Sequence, residues 1–313
     1  MNDFDFDLVF DLPCHDEVFA TRLNAPISRA SIRRSNEDFQ VIEHLGLGLE
    51  GSGEHVYLNL TKTGTNTSWV AQQIADYSGV AIRDVGYGGR KDRHAVTRQW
   101  FSVYLPRHEP NWSDLTIENV YIHQTVRHRC KLRRGKFEAN EFRLVLHFAD
   151  DIDHVDIEQR LYEISSNGFP NYFGRQRFGR QLHNLERADK LLRLGRYQGG
   201  DRGMLISAAR SWLFNYYLSK RLERGMLEGF GPLYGKSRDA QPGEDELGPV
   251  YSAWVEGLRR LGVKTGERPL LVFPEKLSWQ FGKQQLKLNF RLPPGSYATS
   301  LLNELFVVRD EAL

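Results

Sequence analysis

The sequence predicts an α/β protein in which both ends of the chain build one domain and a mainly helical insertion interrupts it. Two observations predict this fold class. Stretches with alternating apolar and polar residues, typical of half-buried strands, dominate the two ends of the chain, and apolar residues at helical spacing dominate the middle. We therefore expect residues 1–167 and 273–313 to form one discontinuous domain and residues 168–272 to form the insertion.

Four stretches predict strands. Three of them alternate cleanly, with apolar side chains on one face: "HVYLNLTK" (55–62), "EFRLVLHF" (141–148) and "QLKLNFRL" (285–292). The fourth, "QWFSVYL" (99–105), is apolar on both faces. A strand that is apolar on both faces is typical of the centre of a sheet, so we expect it there.

Helices are predicted between these strands. "NTSWVAQQIADYSGV" (66–80) has Thr67 or Ser68 as the expected N-cap and ends at Gly79. "DIEQRLYEISSNG" (156–168) and "LISAARSWLFNYYLSKRLERG" (205–225) each end at a glycine. The polar stretch "GPLYGKSRDAQPGEDELGP" (231–249) is rich in Gly and Pro, and we expect a loop or a mobile excursion there.

Composition excludes several classes of protein. The chain has 313 residues, of which 40% are hydrophobic, and a net charge of +2. Its two cysteines, Cys14 and Cys130, lie far apart, which predicts neither a disulfide framework nor a zinc site. The acidic start "MNDFDFDLVFDLP" is unlike a signal peptide, and no apolar run is long enough to span a membrane. We expect a cytoplasmic protein without contact to a membrane.

Positive charge is concentrated in two places. One cluster lies within ten residues and contains Arg127, Arg129, Lys131, Arg133, Arg134 and Lys136. The other contains Arg175, Arg177 and Arg180, interleaved with Phe173 and Phe178. Arginine pairs with phosphate and aromatic rings stack on exposed bases, so the combination favours RNA binding. A single basic run is equally typical of a solvated strand edge, but two such runs in a nearly neutral chain favour RNA.

The stretch "GYGGRKDRHAVTRQWFSVYLP" (86–106) surrounds one carboxylate, Asp92, with glycines and cations. Lys91 and Arg93 flank it and should keep it ionised, while Gly88 and Gly89 permit close backbone approach or a positive φ. Taken alone, the pattern is more typical of a solvated surface turn. P-loop, HExxH and GxSxG patterns are absent from the sequence, but an unassisted carboxylate can still act as a nucleophile.

The stretch "GYGGRKDRHAVTRQWFSV" closely resembles the signature of the TruD family of tRNA pseudouridine synthases. Further segments match that family in its order, so the resemblance covers nearly the whole chain. They are "NEDFQVIEHLG" (36–46), "GEHVYLNLTKTGTNT" (53–67), "KFEANEFRLVL" (136–146), "GFPNYFGRQRFGR" (168–180), "SAARSWLFN" (207–215) and "LPPGSYATSLLNEL" (292–305). The combination is specific, whereas no single motif would be.

The resemblance implies a pseudouridine synthase catalytic domain with a mixed, largely antiparallel sheet, interrupted by an inserted TRUD domain. It implies isomerisation of uridine to pseudouridine in tRNA, typically at uridine 13, with no cofactor or metal. The expected partner is tRNA, and no obligatory protein partner is evident. A non-catalytic RNA-binding protein or RNA chaperone on the same fold is the alternative, and it would not need Asp92.

The resemblance also implies roles for particular residues. Asp92 matches the family's nucleophile, and Phe39, Asn140 and Tyr297 match positions that contact the substrate. Family members often have Phe where this chain has Tyr297. Lys91 and Arg93 are expected to orient RNA phosphate or to hold the carboxylate ionised. RNA contacts are expected from Arg127, Arg129, Arg133, Arg134, Arg175 and Arg177.

Two questions stay open at the level of sequence. Asp92 could attack C1′, add to C6 of the uracil, or assist its departure and then remove a proton from C2′. For Phe39 and Phe142, ordinary core packing competes with a role in the site, and for Phe142 the alternating apolar pattern favours core packing.

Overall fold

A computed structural model describes residues 19–149, 151–195, 197 and 199–312 of the chain. Cys14 and the acidic N-terminal stretch lie outside these residues, as does the start of the expected first domain. None of the helices in the described ranges combines the length and the apolar character that a membrane span needs.

The described residues form a mixed α/β structure. Its strands, in chain order, are β1 (Arg29–Ile32), β2 (Phe39–His44), β3 (His55–Thr63), β4 (Val85–Tyr87), β5 (Val96–Tyr104), β6 (Val120–His128), β7 (Ala139–His147), β8 (Phe169–Pro170), β9 (Phe230–Leu233), β10 (Gly266–Pro269), β11 (Leu271–Val272), β12 (Glu275–Phe281), β13 (Gln285–Leu292) and β14 (Val307–Asp310). Its α-helices are α1 (Thr67–Ser78), α2 (His154–Asn167), α3 (His183–Leu194), α4 (Arg202–Glu223), α5 (Pro249–Arg260) and α6 (Ala298–Leu305).

One large sheet dominates the structure. Its strands follow the order β12-β13-β7-β2-β5-β3-β6, with β4 paired to β5, and with β1 paired to β7 and β14. Strand β2 runs parallel to β5 and β1 parallel to β14, while the other pairs in this sheet are antiparallel. The expected fold class, with a mixed and largely antiparallel sheet, is confirmed. Strand β5 lies between β2 and β3, so its predicted central position is also confirmed.

The predicted helix at 66–80 is confirmed, but its start differs from the expectation. Asn66 occupies the N-cap position, Thr67 is the first helical residue, and Gly79 ends the helix in the left-handed region. The hydroxyl of Thr67 is used elsewhere, because it accepts a hydrogen bond from the backbone N–H of Lys91 at 2.9 Å. Tertiary contact with a distant loop therefore takes the side chain that the sequence pattern assigns to capping.

The chain divides into two compact units. The sheet unit contains residues 25–171 and 272–312, and the helical unit contains Tyr172–Leu271 with the described residues up to Asn24. In the sheet unit, the apolar face of β3 packs against helix α1, where Val70 and Ile74 are fully buried. The assignment of residues 168–272 to the family's inserted domain stays a prediction.

Helices α3, α4 and α5 form the core of the helical unit around Trp212 and Trp254. The expected loop at 231–249 is only partly a loop. Its first residues belong to β9, which pairs antiparallel with β10. Tyr234 is then fully buried and donates a hydrogen bond to the carbonyl of Pro242 at 2.8 Å. The buried tyrosine makes this segment part of the core, which its polar composition hides.

Candidate active site

Asp92 lies in the loop that joins β4 to β5. Its side chain is 41% exposed, so the carboxylate can meet a molecule from solvent. The loop is short and leads directly into β5, at the centre of the large sheet. Because the loop is anchored to a central strand, the carboxylate has a well-defined position, as a reactive group requires.

The cation beside Asp92 is Arg33, which the sequence pattern did not indicate. Its Nη2 lies 2.8 Å from Oδ2 of Asp92, and its other terminal nitrogen pairs with Asp310. Its side chain is only 9% exposed, and the guanidinium lies 3.9 Å from the ring centre of Phe39. These contacts hold the planar guanidinium in one orientation, so it both neutralises and orients the carboxylate.

The register of the sheet brings Arg33 to this place. Strand β1 pairs in parallel with β14, and Ile32 lies opposite Asp310. Arg33 follows immediately, with a φ of 59°, in the left-handed region. A non-glycine residue adopts this conformation at a cost of about 1 kcal/mol or more, which surrounding contacts must offset. The two carboxylates that bind the guanidinium provide such contacts.

Lys91 does not lie beside the carboxylate as expected. Its side chain is 5% exposed, and its Nζ lies 2.6 Å from Oε2 of Glu43, whose side chain is fully buried. The same ammonium donates to Oδ1 of Asn140 at 2.8 Å and lies 4.4 Å from the ring centre of Phe137. The expectation that Lys91 orients RNA phosphate therefore finds no support in this geometry. Lys91 instead ties the loop to β2 and β7.

Three further side chains hold the backbone of the loop. Gln99 donates to the carbonyl of Gly89 at 3.4 Å, and Thr67 accepts from the N–H of Lys91. Lys62, fully buried at the end of β3, donates to the carbonyl of Asp92 at 2.9 Å and to that of Thr65 at 2.8 Å. Burial lowers the pKa of the Lys62 ammonium to about 8, although the nearby Asp92 opposes the shift.

Close approach, rather than unusual backbone geometry, explains the glycine at position 88. A Cβ on Gly88 would lie 2.8 Å from Cδ1 of Phe137 and 3.1 Å from Oε2 of Glu43. Gly88 and Gly89 are both absent from the described residues with positive φ. Of the two expected reasons for these glycines, tight packing is confirmed at Gly88 and a positive φ is not found.

Phe39 and Phe142 are both in the core. Phe39 is 2% exposed, with the Arg33 guanidinium over its ring and Phe142 against it edge-on at 6.2 Å. Its ring therefore supports Arg33 and is not open to a base. Phe142 is 7% exposed and stacks on Phe290 at 5.3 Å, which confirms the preference for core packing.

The two other predicted substrate contacts are Asn140 and Tyr297. Asn140 is partly exposed, and its Oδ1 faces the Lys91 ammonium, which can only donate. Its amide N–H groups are left to donate elsewhere. Leu292, at the end of β13, lies opposite Asn140, and Tyr297 follows it at the start of α6. Tyr297 is partly exposed. Their roles as substrate contacts stay predictions.

The basic segment at 127–136 divides into two parts. Arg127 lies 2.8 Å from a carboxylate oxygen of Glu109 and donates to the carbonyls of Gly53 and Leu105, so its guanidinium is used within the fold. Arg129 is bidentate on Glu50 but remains 76% exposed.

Arg133 and Arg134 are exposed, and within the described ranges no carboxylate pairs with either. Arg93 is likewise exposed, and among the described residues its guanidinium makes one long contact, 3.4 Å to the carbonyl of Gly64. These three are therefore the better candidates for phosphate.

In the helical unit, internal packing explains most of the second cluster. Arg177 donates to the hydroxyls of Ser207 and Ser211 on α4 and lies 5.5 Å from the ring centre of Phe173. Phe178 is 2% exposed and belongs to the core. Arg175 is exposed. RNA binding by Arg175 and Arg177 stays a prediction.

Sequence patterns could have found one of the overlooked residues. Val56, Leu58 and Leu60 alternate on the buried face of β3, and Lys62 is the next residue on that face. A lysine that continues an apolar alternation is expected to be buried and to have a specific partner. No comparable signal marks Arg33, because its partner strand lies at the other end of the chain.

Comparison with known proteins gives a consistent result. The sequence model of one family, described as tRNA pseudouridine synthase D (TruD), matches residues 19–199. A curated protein from Cellvibrio japonicus named tRNA pseudouridine synthase D is 41% identical over 308 residues, covering 91% of this chain and 91% of the relative. Another of that name, from Nitrosococcus oceani, is 39% identical over 343 residues, covering 94% of this chain and 95% of the relative.

The fold is also similar to that of a solved structure. A crystal structure from Methanosarcina mazei, described as a candidate tRNA pseudouridine synthase D (TruD), matches 92% of this chain and 96% of that chain with a TM-score of 0.64. Only 17% of the aligned residues are identical, so this similarity concerns the fold alone.

Proposed function

The chain belongs to the tRNA pseudouridine synthase D (TruD) family, and we propose that it isomerises uridine to pseudouridine in tRNA, with Asp92 as its catalytic group. The expected target is uridine 13, as the resemblance of the motifs implies, and the expected compartment is the cytoplasm. The observation that carries the proposal is the half-exposed Asp92 carboxylate, ion-paired with the buried Arg33 on a loop held by Lys62, Lys91 and Thr67.

The reaction rearranges bonds without adding or losing atoms. The bond from N1 of uracil to C1′ breaks, and a bond from C5 to C1′ forms. C5 loses its proton, and the released N1 gains one. Asp92 can serve this exchange by attacking C1′, by adding to C6, or by removing a proton from C2′ after uracil departs. Each route requires a carboxylate held in a defined position.

The geometry of the ion pair suits this task. Arg33 binds Oδ2 of Asp92, and for Oδ1 no hydrogen-bond partner is found among the described residues. Oδ1 is therefore the oxygen available to the substrate. Because Arg33 is also bound by Asp310, the guanidinium stays in place when the carboxylate reacts. Preorganised charge of this kind lowers the cost of forming a charged transition state.

Two other groups complete the proposed site. The target uridine lies in a structured RNA and must be unstacked before it reaches Asp92. The ring of Tyr297 would supply a stacking surface for the uracil, worth about 1–3 kcal/mol. The amide N–H groups of Asn140 would donate to a carbonyl of the base, since its Oδ1 is occupied by Lys91.

The decisive experiment uses Asp92→Asn, which keeps the size of the side chain and removes its negative charge. Under single-turnover conditions with a tRNA transcript, we expect wild-type protein to form pseudouridine at one position and the variant to form none. Binding of the transcript should be at least as tight in the variant, because less negative charge faces the RNA. Asp76→Asn, an exposed aspartate on α1, is the matched control and should behave like the wild type.

The same experiment separates the two candidate functions. Tight tRNA binding by wild-type protein without any pseudouridine would favour the non-catalytic RNA-binding alternative. Pseudouridine formed by Asp92→Asn at nearly the wild-type rate would show that another group performs the chemistry. Chemical mapping of the product position tests the assignment to uridine 13.

A further inference from the structure

An open cavity of about 460 Å³ lies in the sheet unit beside the strand that leads into the Asp92 loop. Strand β4, at residues 85–87, forms its floor. Helix α1 and Ile82 contribute one wall, and residues 131–134 contribute the other. The substrate groups discussed above do not line this cavity, so it is distinct from the proposed uracil site.

The rim of the cavity is positively charged, and its two arginines can bind an anion. Lys131, Arg133 and Arg134 line it, and both arginines are exposed. In the same segment, Arg127 and Arg129 are paired with Glu109 and Glu50. No such carboxylate lies within ion-pair distance of Arg133 or Arg134 in the described part of the chain. The free guanidinium groups are thus confined to the cavity end of the segment, where they suit a phosphate.

Away from the arginines, the cavity is lined by apolar and aromatic side chains, among them Ile82 and Tyr87. Ile82 lines the cavity and is 47% exposed, so its aliphatic side chain is accessible to a ligand. Tyr87 is partly exposed, and its ring is fixed by Phe101, 5.7 Å away between ring centres. A flat base can lie against such a fixed ring and an aliphatic neighbour, because every base has an apolar face.

The chain itself and two hydrogen bonds connect the lining of the cavity to the loop that carries Asp92. Tyr87 precedes Asp92 by five residues, a separation of at most ~18 Å along an extended chain. The N–H of Gly135 donates to the carbonyl of Gly88 at 2.7 Å, and the N–H of Leu132 donates to the hydroxyl of Ser102 at 2.9 Å. The basic wall is therefore fixed to β5 and to Gly88, the first residue after β4 in the loop that carries Asp92.

We propose that this cavity binds one unpaired nucleotide of the RNA substrate, other than the uridine that reacts. Its base would lie against Tyr87 and Ile82, and its phosphate would pair with Arg133 and Arg134. A nucleotide bound near Asp92 would hold the neighbouring part of the RNA in place while the target uridine, unstacked, occupies the active site. This inference rests on the proposed function, because it takes RNA to be the substrate.

The first test changes the apolar wall. Ile82→Glu places a negative charge where the phosphate and base would lie, and Ile82 is exposed enough for the variant to fold. We expect the dissociation constant for a tRNA transcript to rise about tenfold or more, the loss of one stacked base. Val155→Glu is the matched control, since Val155 is 76% exposed on α2 and does not line the cavity. Equal binding by the two variants would overturn the proposal.

The second test identifies the nucleotide. Transcripts with a single abasic site at each unpaired position are bound to the wild type and to Ile82→Glu. One abasic position should weaken wild-type binding about tenfold and have little further effect on Ile82→Glu, because both changes remove the same contact. Equal losses in both proteins at every position would contradict the proposal. A different result would also overturn the proposal: no abasic position weakens tRNA binding, while free uridine monophosphate binds saturably to the wild type and not to Ile82→Glu. The cavity would then bind a free nucleotide.

The third test concerns the phosphate. Arg133→Ala combined with Arg134→Ala should reduce the salt dependence of tRNA binding by about one to two counterions. The combination of Arg107→Ala and Lys283→Ala removes the same net charge from exposed positions of the same unit. If this control lowers the salt dependence equally, the arginines act only through net charge and the phosphate contact is excluded.

All three tests measure binding, so a wild-type protein that binds tRNA but forms no pseudouridine would refute the proposed function without touching this inference.

Discussion

Arg33 and Asp92 form an ion pair with 2.8 Å between Nη2 and Oδ2, although they lie 59 positions apart in the chain. The cation is 9% exposed and the anion 41% exposed, so the pair has a buried side and an open side. Asp310 and the ring of Phe39 hold the buried side. The carboxylate is thereby presented to solvent in one orientation.

The first prediction concerns Arg33. Arg33→Met should lower the single-turnover rate of pseudouridine formation by about 100-fold or more, because the orienting charge is lost. Arg33→Lys should retain part of the rate, since it keeps the charge but cannot bridge two carboxylates. Circular dichroism would verify that both variants fold. A rate for Arg33→Met within about threefold of wild type would show that the ion pair does not assist the reaction.

The second prediction concerns the buried pair of Lys91 and Glu43. Lys91→Met leaves a fully buried carboxylate without its cation, which should lower the free energy of unfolding by about 3–5 kcal/mol. Adding Glu43→Gln should restore most of that loss, because the amide is neutral and can still accept from the N–H of Trp100. Denaturant unfolding of the two single variants and the double variant measures the coupling. Additive losses would indicate that the two side chains act independently.

The third prediction concerns Lys62 and pH. The pKa of its ammonium falls from 10.5 to about 8 on folding, so between these pH values the unfolded chain binds more protons. The stability of the wild type should therefore rise with pH across this window, relative to Lys62→Met, by up to about 3 kcal/mol. Below pH 8 the difference between the two proteins should be constant. Unfolding curves from pH 7 to 10.5 provide the measurement, and parallel pH profiles would contradict it.

The fourth prediction concerns Tyr297. If its ring stacks on uracil, Tyr297→Phe should keep most of the activity, and Tyr297→Ala should lose about 10-fold or more. Single-turnover rates and tRNA dissociation constants for both variants separate an effect on the reaction from one on binding. Equal losses in the two variants would assign the essential role to the hydroxyl group.

The sequence by itself determined the fold class and the main strands and helices, and local patterns sufficed for these features. It indicated Asp92 as the candidate nucleophile only through the family resemblance, because the local pattern taken alone is more typical of a surface turn. The alternation of Leu286, Leu288 and Phe290 predicted β13, and Gly79 predicted the end of α1. The motif around Asp92 and six further segments in the family's order together indicated the family, which the comparisons confirm.

Only the tertiary structure decided which cations serve Asp92. The neighbours in sequence, Lys91 and Arg93, suggested themselves because adjacent residues are close along the chain. Successive side chains point in different directions, however, so the ammonium of Lys91 lies against Glu43 in the interior. The partner of Asp92 is Arg33, brought there by the parallel pairing of β1 with the C-terminal strand β14. Pairing between distant strands depends on the register of the whole sheet, which no local pattern encodes.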